Sequence, residues 1–277
     1  GATQTEADLF DIVTQLIESY CRSANVSTVT GRQLAASLRS EARAARPADF
    51  RPGQPMKHVA VLLWTSANSG GVGKSLFSIL QLTIRQDSEP TIILAARLAR
   101  CINELCVDPR PPPGDDIMRQ SSRIARKQVY RGGGFDPVHA EFFQVGVKYR
   151  VPMYLATSLR RDVAEQFMRN DNSADEKIIW TILMEAEADM YNASLVHRTH
   201  FAGEAEYLFT PFSVFTVASV DWREGTTSRP HRITLKASAD NKQEPEVGIF
   251  SPFCRRRSDD TVLRAGYSKL SVGLTYQ

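Results

Sequence analysis

The sequence predicts an α+β protein in which helices come first and strands follow. Three observations carry this. Apolar residues recur at three- and four-residue spacing in segments before residue 108, short aromatic and β-branched segments separated by turns follow, and the two patterns do not alternate as βα units. Strands that follow one another without intervening helices favour antiparallel sheets.

Residues 6–22 (EADLFDIVTQLIESYCR) place Leu9, Ile12, Val13, Leu16, Ile17 and Tyr20 on one stripe, which predicts an amphipathic helix. A second helix is expected over residues 30–45, with Thr30 as its cap. RPADFRPGQP then supplies three prolines and a glycine, which stop a helix and place a boundary near residue 55. The expected divisions are an N-terminal helical segment (1–55), a main domain (56–250) and a tail (251–277). Residues 56–107 read as helical and mixed, and TIILAARLARCINELC is a clear helix broken by DPRPPPGDD. A short helix after Ile117 leads into KQVYRGGGF, a strand ending in a glycine turn. VPMYLATS, KIIWTILMEA, AEYLF, FSVFTVASV and HRITLKAS are the β segments. Between the first two, RRDVAEQFMRN predicts a helix with Val163, Phe167 and Met168 facing inward.

Composition narrows the function classes. The 277 residues are 42% hydrophobic and 23% charged, an ordinary globular composition with enough chain to bury a core. A net charge of +3 is far from the concentrated basic face that nucleic acid requires, so no nucleic-acid partner is expected. The longest apolar run, His58 to Trp64, is much shorter than the roughly 20 residues of a membrane span. The opening residues GATQTE carry no charged-then-apolar signal segment. Cys21, Cys101, Cys106 and Cys254 make neither a disulfide framework nor a CxxC metal pair. Unbridged thiols in a reducing compartment are expected, with no metal.

The stretch VAVLLWTSANSGGVGKSLFSIL resembles a phosphate-binding strand, loop and helix, because Gly73-Lys74-Ser75 matches the end of a P-loop. Asn68 stands where the full pattern needs glycine, and Ser69 stands where the deviant GGxGK form has lysine. TIILAA is followed by Arg97 and Leu98 rather than by a magnesium-holding acid. The preferred reading is a glycine-rich loop between two helical pieces, with a P-loop nucleotide hydrolase as the alternative.

Three further segments carry chemistry. Val129-Tyr130-Arg131-Gly132 puts a planar, permanently charged fork beside glycines that let a ligand approach the backbone. Tyr154-Leu155-Ala156-Thr157-Ser158 is a strand closing on two hydroxyls, and Phe201-Ala202-Gly203-Glu204-Ala205-Glu206 presents two carboxylates one residue apart at a strand start. Strand alternation would send those carboxylates to the same side. Singly, each has a plain structural reading: a surface arginine before a turn, a helix cap, two solvated glutamates.

Taken in order, the three segments resemble the arginine-specific mono-ADP-ribosyltransferases of the cholera-toxin-like R-S-E class. Tyr130-Arg131-Gly132 looks like the aromatic-Arg strand, Ala156-Thr157-Ser158 like Ser-Thr-Ser, and Glu204-Ala205-Glu206 like the Glu-x-Glu loop. The resemblance spans about residues 56–245, and one position departs from it, Ala156 standing for the first serine.

The resemblance implies two packed antiparallel sheets with flanking helices, and NAD as the substrate. It implies that Glu206 and Glu204 are catalytic, Glu206 at the ribose and Glu204 at an acceptor arginine. Arg131, Gly132, Thr157 and Ser158 would bind NAD, and Phe201 would touch the target protein. It also implies a protein partner bearing the acceptor, and action in the cytoplasm or in the cytosol of a cell into which the protein is delivered. Ala156 leaves a second reading open, a catalytically weak or inactive NAD-binding module.

Overall fold

Helix α1 (Glu6–Ser23) begins the described part of the chain in the computed structural model, which covers residues 5–45, 56–86, 90–107, 128–184, 190, 192–196, 199–241 and 251–252. Thr5 and Asp8 form a reciprocal capping box: the Asp8 N–H donates to Thr5 Oγ1 at 3.2 Å, and the Thr5 N–H donates to Asp8 Oδ2 at 2.9 Å. The stripe read from the sequence is buried from Leu9 to Ile17, with Leu9, Val13, Leu16 and Ile17 fully covered, and Tyr20 at its end is half-buried. Helix α2 (Thr28–Ala44) starts earlier than expected, because Ser27 rather than Thr30 is its cap and accepts from the Val29 N–H at 3.3 Å.

Two compact units divide the chain: Gly1–Asp108 with Val196–Ala202, and Pro109–Leu195 with Gly203–Gln277. The boundary expected near residue 55 lies outside the described residues, as do the short helix after Ile117, the tail from 253 on, with Cys254, and the side chain of Cys106.

The first unit is helical. After α2 come α3 (Met56–Trp64), α4 (Leu76–Gln86) and α5 (Thr91–Val107). The apolar run from Val59 to Trp64 is a helix buried on every side, which explains its lack of amphipathic pattern. No described helix is long and apolar enough to cross a membrane. Cys21 and Cys101 are buried and form no disulfide.

The glycine-rich loop joins two helices, α3 and α4, so the strand that a P-loop requires is absent before it. Its shape has a structural cause. Asn68 donates to Ser37 Oγ at 2.9 Å and to Glu41 Oε1, Ser66 donates to Glu41 Oε2 at 2.7 Å, and the Gly70 N–H donates to Asn68 Oδ1 at 2.9 Å. The loop is fastened to α2, and Gly73 (φ 77°) supplies the left-handed turn into α4.

The described residues of the second unit form a sheet with a helix against it. Strands β1 (Gln128–Phe135), β2 (Lys148–Val151) and β3 (Leu155–Ser158) precede α6 (Arg161–Asn170). Strands β4 (Glu176–Leu183), β5 (Ala193–Leu195), β6 (Glu206–Phe209), β7 (Ser213–Asp221) and β8 (His231–Ala237) follow. The α+β class with a leading helical part is as expected, but the sheet arrangement differs. All eight strands are hydrogen-bonded into one sheet in the order β2-β7-β8-β4-β1-β3-β6-β5, and β4 and β8 run parallel. The single residue pair Tyr130–Ser158 joins β1 to β3, so five strands lie on one side of that junction and three on the other. A parallel pair needs a long crossover, and three strands intervene between β4 and β8 in the chain. The sequence run 151–158 is two strands, not one, because pairing stops after Val151 and resumes at Leu155.

The sheet's core is aromatic, with Phe135, Phe143, Phe209 and Phe215 fully covered and ring centroids 5.0 Å apart between Phe143 and Trp180 and 5.2 Å between Phe209 and Phe215. Burying such a ring contributes about 1.5–3 kcal/mol. Helix α6 turns Val163, Ala164 and Met168 inward, whereas Phe167, expected inside, is 52% exposed. Periodicity alone puts 167 on that face, between 163 and 164; its exposure is set by where α6 meets β1, through Ala164 and Met168 at Gly132.

Candidate active site

Strand β1 is where sequence and structure first diverge at the site. The glycines at 132–134 do not turn the chain; β1 runs through them to Phe135, paired with β4 throughout. Gly132 is pressed by α6, and Gly133 and Gly134 by residues 171–174 that follow it. A Cβ on Gly132 would stand 1.9 Å from the Ala164 carbonyl oxygen and 2.8 Å from Met168 Cβ. Arg131 is therefore in mid-strand, opposite Trp180, with a rigid paired backbone on either side.

The Arg131 guanidinium is held by one hydrogen bond and lies in the field of two carboxylates. Its Nη1 donates to the Ala156 carbonyl at 2.8 Å, which ties β1 to β3 through a backbone atom that any residue at 156 would offer. Although Arg131 is solvent-accessible, crowding by protein atoms draws its pKa down, and the carboxylates of Asp171 and Glu206 oppose that shift. The group stays cationic at any physiological pH.

Asp171, at the end of α6, has no counterpart in the sequence reading. It accepts from the Gly134 N–H and the Ser173 N–H, both at 2.8 Å. Burial pushes its pKa up, but the bonds from Ser173 and Gly134 and the charge of Lys177 outweigh that and hold it below the usual aspartate value. A fixed anion thus neighbours Arg131. The only signal for it in the sequence is an aspartate just past a predicted helix.

Across the sheet, three motifs fall into one row. Tyr130 on β1 pairs with Ser158 on β3, and Ser158 pairs with Glu206 on β6. Arg131 is thus one residue from a row that ends on Glu206, and the two charges interact.

The hydroxyls of Thr157 and Ser158 are buried and donate to main-chain carbonyls. Thr157 Oγ1 reaches the Tyr207 oxygen and Ser158 Oγ the Glu204 oxygen, each at 2.5 Å. The Leu159 N–H donates to the Ala205 oxygen at 3.1 Å, and Arg160 Nη1 donates to the Gly203 oxygen at 3.1 Å. Four consecutive residues, 157–160, therefore hold the carbonyls of residues 203, 204, 205 and 207.

The two glutamates are held differently. Glu206 is the first residue of β6, whereas Glu204 ends a short 3₁₀ turn (Ala202–Glu204). Ala205 between them is left-handed (φ 45°), an unusual conformation for a residue with a Cβ. Strand alternation therefore does not set the relative directions of the carboxylates, contrary to the sequence expectation. Partial burial raises the Glu204 pKa above the usual glutamate value.

Phe201 belongs to the helical unit with residues 196–202, is 42% exposed, and donates its N–H to Thr199 Oγ1 at 2.8 Å. The neighbouring His200 ring meets the Leu62 carbonyl at 3.1 Å, which anchors this segment to α3. Among the described residues, no group of three or more His, Cys, Asp or Glu side chains is arranged to hold a metal ion.

No protein-family model matches the sequence, and no curated protein matches it. Solved structures of similar fold include the ADP-ribosyltransferase Vis, a toxin from Vibrio splendidus, in complex with the M6 inhibitor (13% identity, 86% of this chain and 87% of that one, TM-score 0.48). The type III effector XopAI from Xanthomonas axonopodis pv. citri is similar at 12% identity over 86% of this chain and 90% of that one, TM-score 0.49. The ADP-ribosyltransferase HopU1 of Pseudomonas syringae pv. tomato is similar at 16% identity over 84% and 87%, TM-score 0.46. At these identities and superpositions the functional reading rests on the residues of this chain.

Proposed function

We propose that the chain is a mono-ADP-ribosyltransferase that cleaves NAD at the nicotinamide bond and transfers ADP-ribose to an arginine acceptor on a protein. The observation that carries this reading is the row Tyr130–Ser158–Glu206, with Arg131 beside it and electrostatically coupled to Glu206. A cation near a carboxylate two strands away, with β3 between them, suits a cofactor that has an anionic pyrophosphate and a reacting ribose that becomes positive.

Breaking the bond between ribose C1′ and the nicotinamide nitrogen leaves the electron pair on nicotinamide and an oxocarbenium ion on the sugar. Only interactions stronger in that state accelerate the step. In this reading Glu206, ionised, accepts from the ribose 2′-hydroxyl and lies against the developing cation. Arg131 holds the NAD phosphates, and the Gly132 backbone receives the nicotinamide amide. Thr157 and Ser158 serve the cofactor by fastening the loop that carries both glutamates.

A guanidinium nitrogen of the acceptor then attacks C1′ from the other side. Arginine is protonated in water, so a carboxylate must orient it and take the proton released as the new bond forms. Glu204 is assigned that role, and its raised pKa brings its basicity closer to that task. Phe201 is assigned to contact with the target protein. Action in the cytoplasm or in a target cell's cytosol completes the reading.

The test is incubation with labelled NAD and agmatine or polyarginine, with Glu206→Gln as control. Transfer is expected to fall by about a hundredfold or more, corresponding to roughly 3 kcal/mol of lost transition-state stabilisation. Wild-type-like transfer by Glu206→Gln would remove the assignment.

A further inference from the structure

We propose that Arg160 is a positioning residue for the acceptor-side carboxylate, setting transfer to the acceptor independently of NAD cleavage. This rests on the transferase reading above. Glu206 is built into β6, where β3 pairs with it on one side. Glu204 lies outside every strand, ahead of the left-handed Ala205. Holding such a turn in place requires contacts that over-determine it. Two side-chain donors supply them at this point, Ser158 on the Glu204 carbonyl and Arg160 on the Gly203 carbonyl.

Arg160 is aimed by its neighbour. Its Nε and Nη2 engage the two carboxylate oxygens of Asp162 at 3.2 and 2.5 Å, which leaves Nη1 directed to Gly203. This is a planar fork with three fixed directions, and a lysine ammonium cannot reproduce it. The Arg160–Asp162 pair is exposed, and an exposed ion pair adds little to stability. Its effect is on geometry: it fixes the peptide immediately before Glu204. Ser158, by contrast, pairs with Glu206 as well and would disturb both glutamates.

The experiment compares Arg160→Ala and Arg160→Lys with the wild type in three measurements. These are ADP-ribose transfer to agmatine, NAD hydrolysis without acceptor, and hydrogen exchange of peptides covering residues 203–205 and 207–209. A small acceptor removes any contribution of the arginine to docking a protein target. Both variants are expected to lose about five- to tenfold in transfer, the effect of one lost solvent-exposed hydrogen bond. Hydrolysis is expected to stay within about twofold, with the melting temperature unchanged, as for an exposed substitution. Exchange should rise at 203–205 and not at 207–209. Full transfer by either variant, equal loss of transfer and hydrolysis, or unchanged exchange at 203–205 would overturn the proposal. If the wild type does not cleave NAD, the transferase reading fails by itself, and the exchange measurement still decides whether Arg160 holds the turn.

Discussion

Replacing Gly132 with alanine is the sharpest probe of how β1 is packed. The added Cβ would lie 1.9 Å from the Ala164 carbonyl oxygen, where ordinary contact begins at 3.4 Å, so α6 must withdraw by about 1.5 Å or β1 must bend. Neither movement is cheap. The obstacle is helix backbone rather than a flexible side chain, and β1 is paired with β4 along its whole length. Overpacking typically costs about 1–3 kcal/mol, and a backbone collision belongs at the upper end. For a chain of this size that corresponds to a fall of roughly 6–12 °C in melting temperature. Gly133→Ala is the internal control, since its Cβ would meet only the Asp171 carboxylate, at 3.1 Å. Alanine there also restricts the unfolded chain, so a change below about 1 kcal/mol is expected. Thermal and urea unfolding of the two variants would check the contrast. If Gly132→Ala unfolds at the wild-type midpoint, or both variants lose equally, the close packing of α6 on the glycines is wrong.

Other outcomes follow from the same geometry. Glu204→Gln should abolish most agmatine transfer yet retain slow NAD hydrolysis, and equal loss of both would mean that the two glutamate roles are misassigned. Because burial raises the Glu204 pKa, wild-type transfer should increase with pH through that raised value, and the limb should vanish in Glu204→Gln. The stability sign is opposite. A carboxyl whose folded pKa exceeds its unfolded one contributes most favourably below the unfolded pKa, and that contribution is lost as pH rises through the folded value. Ala205→Gly removes the cost of a Cβ at φ 45° and should stabilise by up to about 1 kcal/mol in urea unfolding, with a loss of stability as the contrary result. Burial pushes the Cys101 thiol up to about 11, so iodoacetamide at neutral pH should leave Cys101 unlabelled in the folded protein, as read from fragment ions that separate it from Cys106 on the same tryptic peptide. Labelling at the rate of an unfolded thiol would contradict its burial.

Local chemistry fixed much of this protein before any long-range contact was known. The stripe from Leu9 to Ile17, the amphipathic 161–170 helix and the β-branched runs at 176–183 and 231–237 are legible because period and residue type are written along the chain. The identities and order of Arg131, Thr157, Ser158, Glu204 and Glu206 are equally local, and they were enough to suggest a chemistry. What the tertiary structure decided concerns neighbours far apart in sequence. Gly132–Gly134 stay in a strand because they pair with β4, and the reason that 132 is glycine lies in Ala164, some thirty residues away. Parallel pairing of β4 with β8 and the single Tyr130–Ser158 junction depend on register, which no segment contains by itself. Asp171 beside Arg131, and Arg160 on the Gly203 carbonyl, arise for the same reason. Residue type and spacing name the groups available for catalysis; the distances and bonds that would make them act together exist only once the chain is folded.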